Sequence, residues 1–61
     1  MRVTIVLKSG FNMNGNMVND NFKSFINGWE NQKFITLQEE DNINAIILTS
    51  EIASILRQKE G

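Results

Sequence analysis

Between Asp20 and Gln32 the apolar residues Phe22, Phe25, Ile26 and Trp29 recur at i, i+3, i+4 and i+7. That spacing forms a single face only on a helix with a 3.6-residue period. Three of the chain's five aromatic residues fall on this stripe, so it is expected to face the core. Asn19 or Asp20 is expected to cap the first turn, because a short side-chain oxygen accepts from the free N–H groups there and Asp20 suits the positive end of the helix dipole. Asn27-Gly28 is the opposing signal, since Gly costs about 1 kcal/mol inside a helix and Asn-Gly favours a tight hairpin. Neither 21–26 nor 29–34 alternates apolar with polar as hairpin strands would, and the stretch reads as one 13-residue helix over 20–32.

The segments around it alternate. Met1, Val3, Ile5 and Leu7 oppose Arg2, Thr4 and Lys8, with Val6 as the exception, which predicts a half-buried strand. Phe11, Met13 and Met17 alternate with Asn12, Asn14 and Asn16 and predict a second. A two-residue loop would set Leu7 against Asn12 and mix the faces. A three-residue loop, Lys8-Ser9-Gly10, sets Leu7 against Phe11 and Ile5 against Met13, with Gly10 left-handed. Gly15 then lies opposite Val3 on the apolar face, which suggests a bulge or room for the helix. Residues 33–38 (KFITLQ) read as a third strand and Glu39-Glu40-Asp41-Asn42 as a polar turn. Residues 43–48 (INAIIL) are nearly all apolar, the pattern of a central strand covered on both faces. In the tail, Ile52, Ile55 and Leu56 suit a short helix, whereas a turn at Ser50-Glu51 followed by 53–57 suits a last strand; periodicity leans to the helix.

Sixty-one residues make one domain, 1–61, which buries only about 60% of the surface it exposes when unfolded. Small domains often add disulfides, a metal or a partner subunit. With no Cys and no His, no disulfide is possible and a metal is not expected, so the expected supplement is a partner. No apolar run reaches the roughly 20 residues of a membrane span, and the first eight residues lack the layout of a signal peptide. A cytoplasmic location and no membrane are expected. Six basic and seven acidic residues give a net charge of -1, which exerts no overall pull toward nucleic acid.

Two resemblances rest on these segments. The succession of Val3-Thr4-Ile5-Val6-Leu7-Lys8-Ser9-Gly10, a second strand, Phe34-Ile35-Thr36-Leu37 and Ile46-Ile47-Leu48-Thr49-Ser50-Glu51-Ile52-Ala53-Ser54-Ile55 resembles the strand order of Sm-like small barrels, the family of bacterial Hfq. It implies an Sm/SH3-like small barrel as the alternative fold, a tight turn at Ser50-Glu51-Ile52 before a last short strand, and oligomeric binding of RNA or single-stranded DNA. The chain is also similar to small proteins carried by phages and other mobile elements of low-GC Gram-positive bacteria, in its Lys8-Ser9-Gly10 hairpin turn, its aromatic helix, Phe34-Ile35-Thr36-Leu37 and its Ser50 to Ile55 segment. Nine Asn and the lack of Cys, His, Pro and Tyr agree with that. Phe22 to Trp29 looks locally like a helix of a Listeria phage anti-CRISPR protein. This resemblance implies an anti-defence type of protein acting on a host protein.

Catalysis is not expected. Without His or Cys no Ser-His or Cys-His pair can be built, and nothing in the sequence places a Lys as the base instead. Glu39, Glu40 and Asp41 lack calcium-loop spacing and read as a solvated turn. Ser9-Gly10 is not a phosphate loop. No cofactor is expected. A nucleic-acid surface would use Arg2 and Lys8 on the outer face of the first strand, joined by Lys23 or Lys33. A protein-binding surface would use Trp29, Asn12, Asn14, Asn16 and Met17, a mixture of adaptable polar and soft apolar groups.

The expected fold is α+β, in the order β-β-α-β-β-β, with one curved sheet packed on the aromatic helix. The expected function is non-catalytic protein binding that inhibits or redirects a host protein. A homo-oligomer, chiefly a dimer paired through the uncovered face or an edge strand, is expected. Ile46 and Leu48 point opposite to Ile43, Ala45 and Ile47, Ile55 and Leu56 add apolar surface, and one helix cannot cover both faces of the sheet.

Overall fold

In the computed structural model, which describes residues 1–18 and 21–59, five antiparallel strands form one sheet in the order β4-β3-β2-β1-β5. β1 (Arg2–Leu7) and β2 (Asn12–Asn16) make the hairpin that the alternation predicts. Ile5 pairs with Met13 and Val3 with Gly15. Leu7 N–H donates to the Phe11 carbonyl at 2.9 Å and Gly10 N–H to the Leu7 carbonyl at 2.9 Å, so the loop is Lys8-Ser9-Gly10. Gly10 has φ +94°, a conformation that a Cβ would strain.

The helix differs from expectation. α1 spans only Phe22–Ile26, and its cap is Asn21, whose side chain accepts from Ser24 N–H at 3.1 Å. The expected caps, Asn19 and Asp20, lie outside the described residues. After Asn27-Gly28 the chain makes a separate 3₁₀ turn, Trp29–Asn31. The glycine wins here because a helix this short has no surplus of hydrogen bonds to carry its cost. Phe25 is buried, Phe22 and Trp29 are half-buried and Ile26 is exposed. The Phe22 and Phe25 rings are tilted by 39° with centroids 6.2 Å apart. The helix adds one aromatic to the core and does not cover the sheet, so α+β packing on a central helix gives way to a β-rich domain with little helix.

β3 (Phe34–Glu39) and β4 (Asn42–Leu48) form the second hairpin. Glu40 and Asp41 at its tip have φ of 50° and 68°, the doubly left-handed geometry of a two-residue turn that follows strand twist. A 3₁₀ turn, Thr49–Glu51, leads into β5 (Ile52–Arg57), so the tail is a strand and not a helix. Its apolar spacing fits both, and pairing with β1, from Val3 opposite Arg57 to Leu7 opposite Ile52, decides it.

β1, not β4, lies inside the sheet. Residues 43–48 were expected to be a central strand covered on both faces, yet β4 is outermost, and among the described residues only β3 lies along it. The near-continuous apolar run reflects one buried face and one bare one. β2 and β3 share a single paired position, Asn16 with Gln38, so the sheet folds over there. The two hairpins thus close on one cluster: Val3, Ile5, Met17, Phe25, Ile35, Leu37, Ile47 and Ile52. The result is small and barrel-like. Gly15 makes the fold-over possible, since a Cβ there would lie 2.8 Å from Leu37 Cδ1. The room it leaves is for β3 and not for the helix.

Candidate protein-binding face

The barrel's outer surface divides into two unlike halves. Over β2, β1 and β5 it carries a hydrogen-bonded polar row, with Leu56 as an exposed apolar residue opposite Thr4. Asn16, Asn14 and Asn12 lie opposite Arg2, Thr4 and Val6. Thr4 Oγ1 donates to Asn14 Oδ1 at 2.6 Å, and Gln58 Nε2 donates to Thr4 Oγ1 at 2.7 Å and to Asn14 Oδ1 at 2.8 Å. Asn12 and Asn14 are exposed, as expected for a contact row, but Asn14 is engaged within its own sheet.

Over β3 and β4 the outer surface is apolar. Ile35, Leu37, Ala45 and Ile47 point inward, which sends Phe34, Thr36, Ile46 and Leu48 outward. Phe34 pairs with Leu48 and Thr36 with Ile46. Between Leu37 and Gln38 the register slips, leaving Asn44 as the extra residue and setting Ile43 against Gln38. This bulge turns Ile43 from the inner to the outer face. Strict alternation puts Ile43 with Ala45 and Ile47, so sequence pattern alone misses it. The four large side chains are 48% (Phe34), 61% (Ile43), 67% (Ile46) and 50% (Leu48) exposed. Together they present an area on the order of 400 Å², the size at which a patch on a monomer is often functional. Phe34 also lines, with Met17, Phe25 and Thr36, an open depression beside β3.

The strip adjoins an open strand edge. β4 reads NINAIIL, with no charge and no Pro, the devices that usually protect an edge from pairing with another chain.

The residues expected at a protein contact are thereby redistributed. Met17 is 6% exposed and belongs to the core, reaching the surface where it lines the depression beside β3. Trp29 is half-buried against the same core. Of the strip residues, the sequence places Ile46 and Leu48 on the face that the helix cannot cover, whereas Phe34 and Ile43 are not singled out.

The basic residues do not converge as expected. Arg2 and Lys8 sit at opposite ends of β1, about 20 Å apart at the rise of a strand. Lys23 is on α1 and Lys33 precedes β3, and both are exposed. The Arg2 backbone instead runs beside the end of β5, where Arg57 pairs with Val3 and Gln58 N–H donates to the Arg2 carbonyl at 3.0 Å. At the β3–β4 tip, Glu39, Glu40 and Asp41 are all exposed, and Glu39 Oε2 accepts from Asn44 Nδ2 at 3.5 Å. Among the described residues no group of three potential metal ligands exists, and no helix is long and apolar enough to cross a membrane. No family model matches the chain, and no curated protein or solved structure matches it either.

Proposed function

We propose that this protein is a non-catalytic protein-binding module that takes an extended segment of its partner onto the β4 edge. The observation that carries the reading is the outward row of Phe34, Ile43, Ile46 and Leu48 beside an uncharged open strand. Strand addition draws affinity from main-chain hydrogen bonds and specificity from alternate side chains, and this edge offers both. The sequence resemblance to phage and mobile-element proteins supports a host protein as the partner, which the module would inhibit or redirect. A pull-down from Gram-positive lysate tests it, using the wild type, Ile46→Asp and the control Asn14→Ala. A partner recovered by wild type and control but lost with Ile46→Asp is expected. Nucleic acid without any reproducible protein, or a partner that Ile46→Asp retains, would overturn it.

In the absence of that partner, a second copy of the chain occupies the same edge. The lack of charge along β4 favours this, because a two-fold antiparallel β4–β4 pair opposes no like charges. Light scattering is expected to give a mass near two chains for wild type and near the 7.0 kDa of one chain for Ile46→Asp. A wild-type mass near one chain, unchanged by dilution, would remove the dimer and leave the pull-down as the test of heterologous binding.

A further inference from the structure

The chain contains two Asn-Gly pairs, and their surroundings differ in every respect that governs imide chemistry. We propose that Asn27 is a site of spontaneous deamidation in the folded protein, and that Asn14 is protected from the same reaction by its strand. The Gly28 backbone nitrogen, after losing its proton to solvent base, attacks Cγ of Asn27. The Cγ–Nδ2 bond breaks, ammonia leaves and a five-membered imide forms. Water opens the imide at either carbonyl, giving aspartate or isoaspartate. The balance is one water in and one ammonia out, with no redox change.

Three features favour Asn27. Its side chain is exposed and makes no hydrogen bond among the described residues. The attacking nitrogen is loosely held, since Gly28 N–H reaches the Phe25 carbonyl at 3.3 Å and Asn27 N–H the Ser24 carbonyl at 3.4 Å, beyond the usual N–H···O range. The turn sits between α1 and a separate 3₁₀ turn, so its backbone can rotate without breaking a ladder.

Asn14 has none of these freedoms. Met17 N–H donates to the Met1 carbonyl and Leu7 N–H to the Phe11 carbonyl. Antiparallel alternation then makes Val3–Gly15 a hydrogen-bonded pair, which occupies the Gly15 N–H. Gly15 is buried under Leu37, and Asn14 Oδ1 is held by Thr4 and Gln58. Reaction there requires the strand to open. Conversion at Asn27 adds one negative charge to a chain of net charge -1, and the isoaspartyl form adds a backbone atom to the turn that seats Trp29.

The full folded chain is incubated in mildly alkaline buffer at body temperature and mapped by mass spectrometry over days. The Asn27 peptide is expected to convert at least about tenfold faster than the Asn14 peptide, and the gap is expected to close in urea. Gly28→Ala is expected to slow Asn27 while keeping the fold, because a Cβ there meets nothing within 4 Å. Equal rates at the two sites in the folded chain, or an unchanged rate in Gly28→Ala, would overturn the assignment.

Discussion

The β1–β2–β5 half and the β3–β4 hairpin use the same inward chemistry and opposite outward chemistry. Both send β-branched and aliphatic residues into one core, Val3 and Ile5 from the first, Ile35, Leu37 and Ile47 from the second. Outward, the first half shows a hydrogen-bonded row of Thr4, Asn14 and Gln58, whereas the second shows Phe34, Ile46 and Leu48. A mainly polar face, with Leu56 as its exposed apolar residue, is thus set beside an apolar one that lacks a cover, and the proposed function rests on that contrast rather than on any single residue.

Substitutions can break this contrast in order of effect. Phe25→Ala removes an aromatic held by both halves and is expected to cost about 3–5 kcal/mol, which unfolds a domain this small; chemical denaturation measures it, and a loss below about 1 kcal/mol would mean the ring is not core. Gly15→Ala drives a Cβ against Leu37 where the halves meet, with an expected cost of about 1–3 kcal/mol, and Leu37→Ala should partly rescue it in a double-mutant cycle. Asn14→Ala strips the hub of the polar face, at about 0.5–1.5 kcal/mol with partner capture unchanged. Ile46→Ser is expected to move monomer stability by no more than about 0.5 kcal/mol while abolishing capture. A stability loss as large as that of Phe25→Ala would mean Ile46 is buried.

What the sequence made legible followed from local rules. The first hairpin, its loop and the pairing of Ile5 with Met13 were readable because alternation and a left-handed Gly10 admit one register. The helix was overextended because stripe periodicity outweighed Gly28, and its cap was misplaced by one residue or more. The position of β4 was not readable, since an apolar run carries the same pattern whether its second face meets a helix or nothing. The bulge at Asn44, which moves Ile43 outward, leaves no mark in the order of residues. Hence Ile46 and Leu48 are legible as a bare face, from the limited cover one helix can give, while Ile43 and the edge position of β4 are not.

The pairing of β1 with β5 has a consequence for synthesis. Gln58 reaches Thr4 across a separation of 54 residues, so β1, an inner strand of the sheet, waits for a partner that is synthesised that many residues later. Until then Val3 and Ile5 have only the β2 hairpin for company. Non-local closure of this sort is slow, on the order of milliseconds to seconds, and during that interval β1 is an open template for other nascent chains.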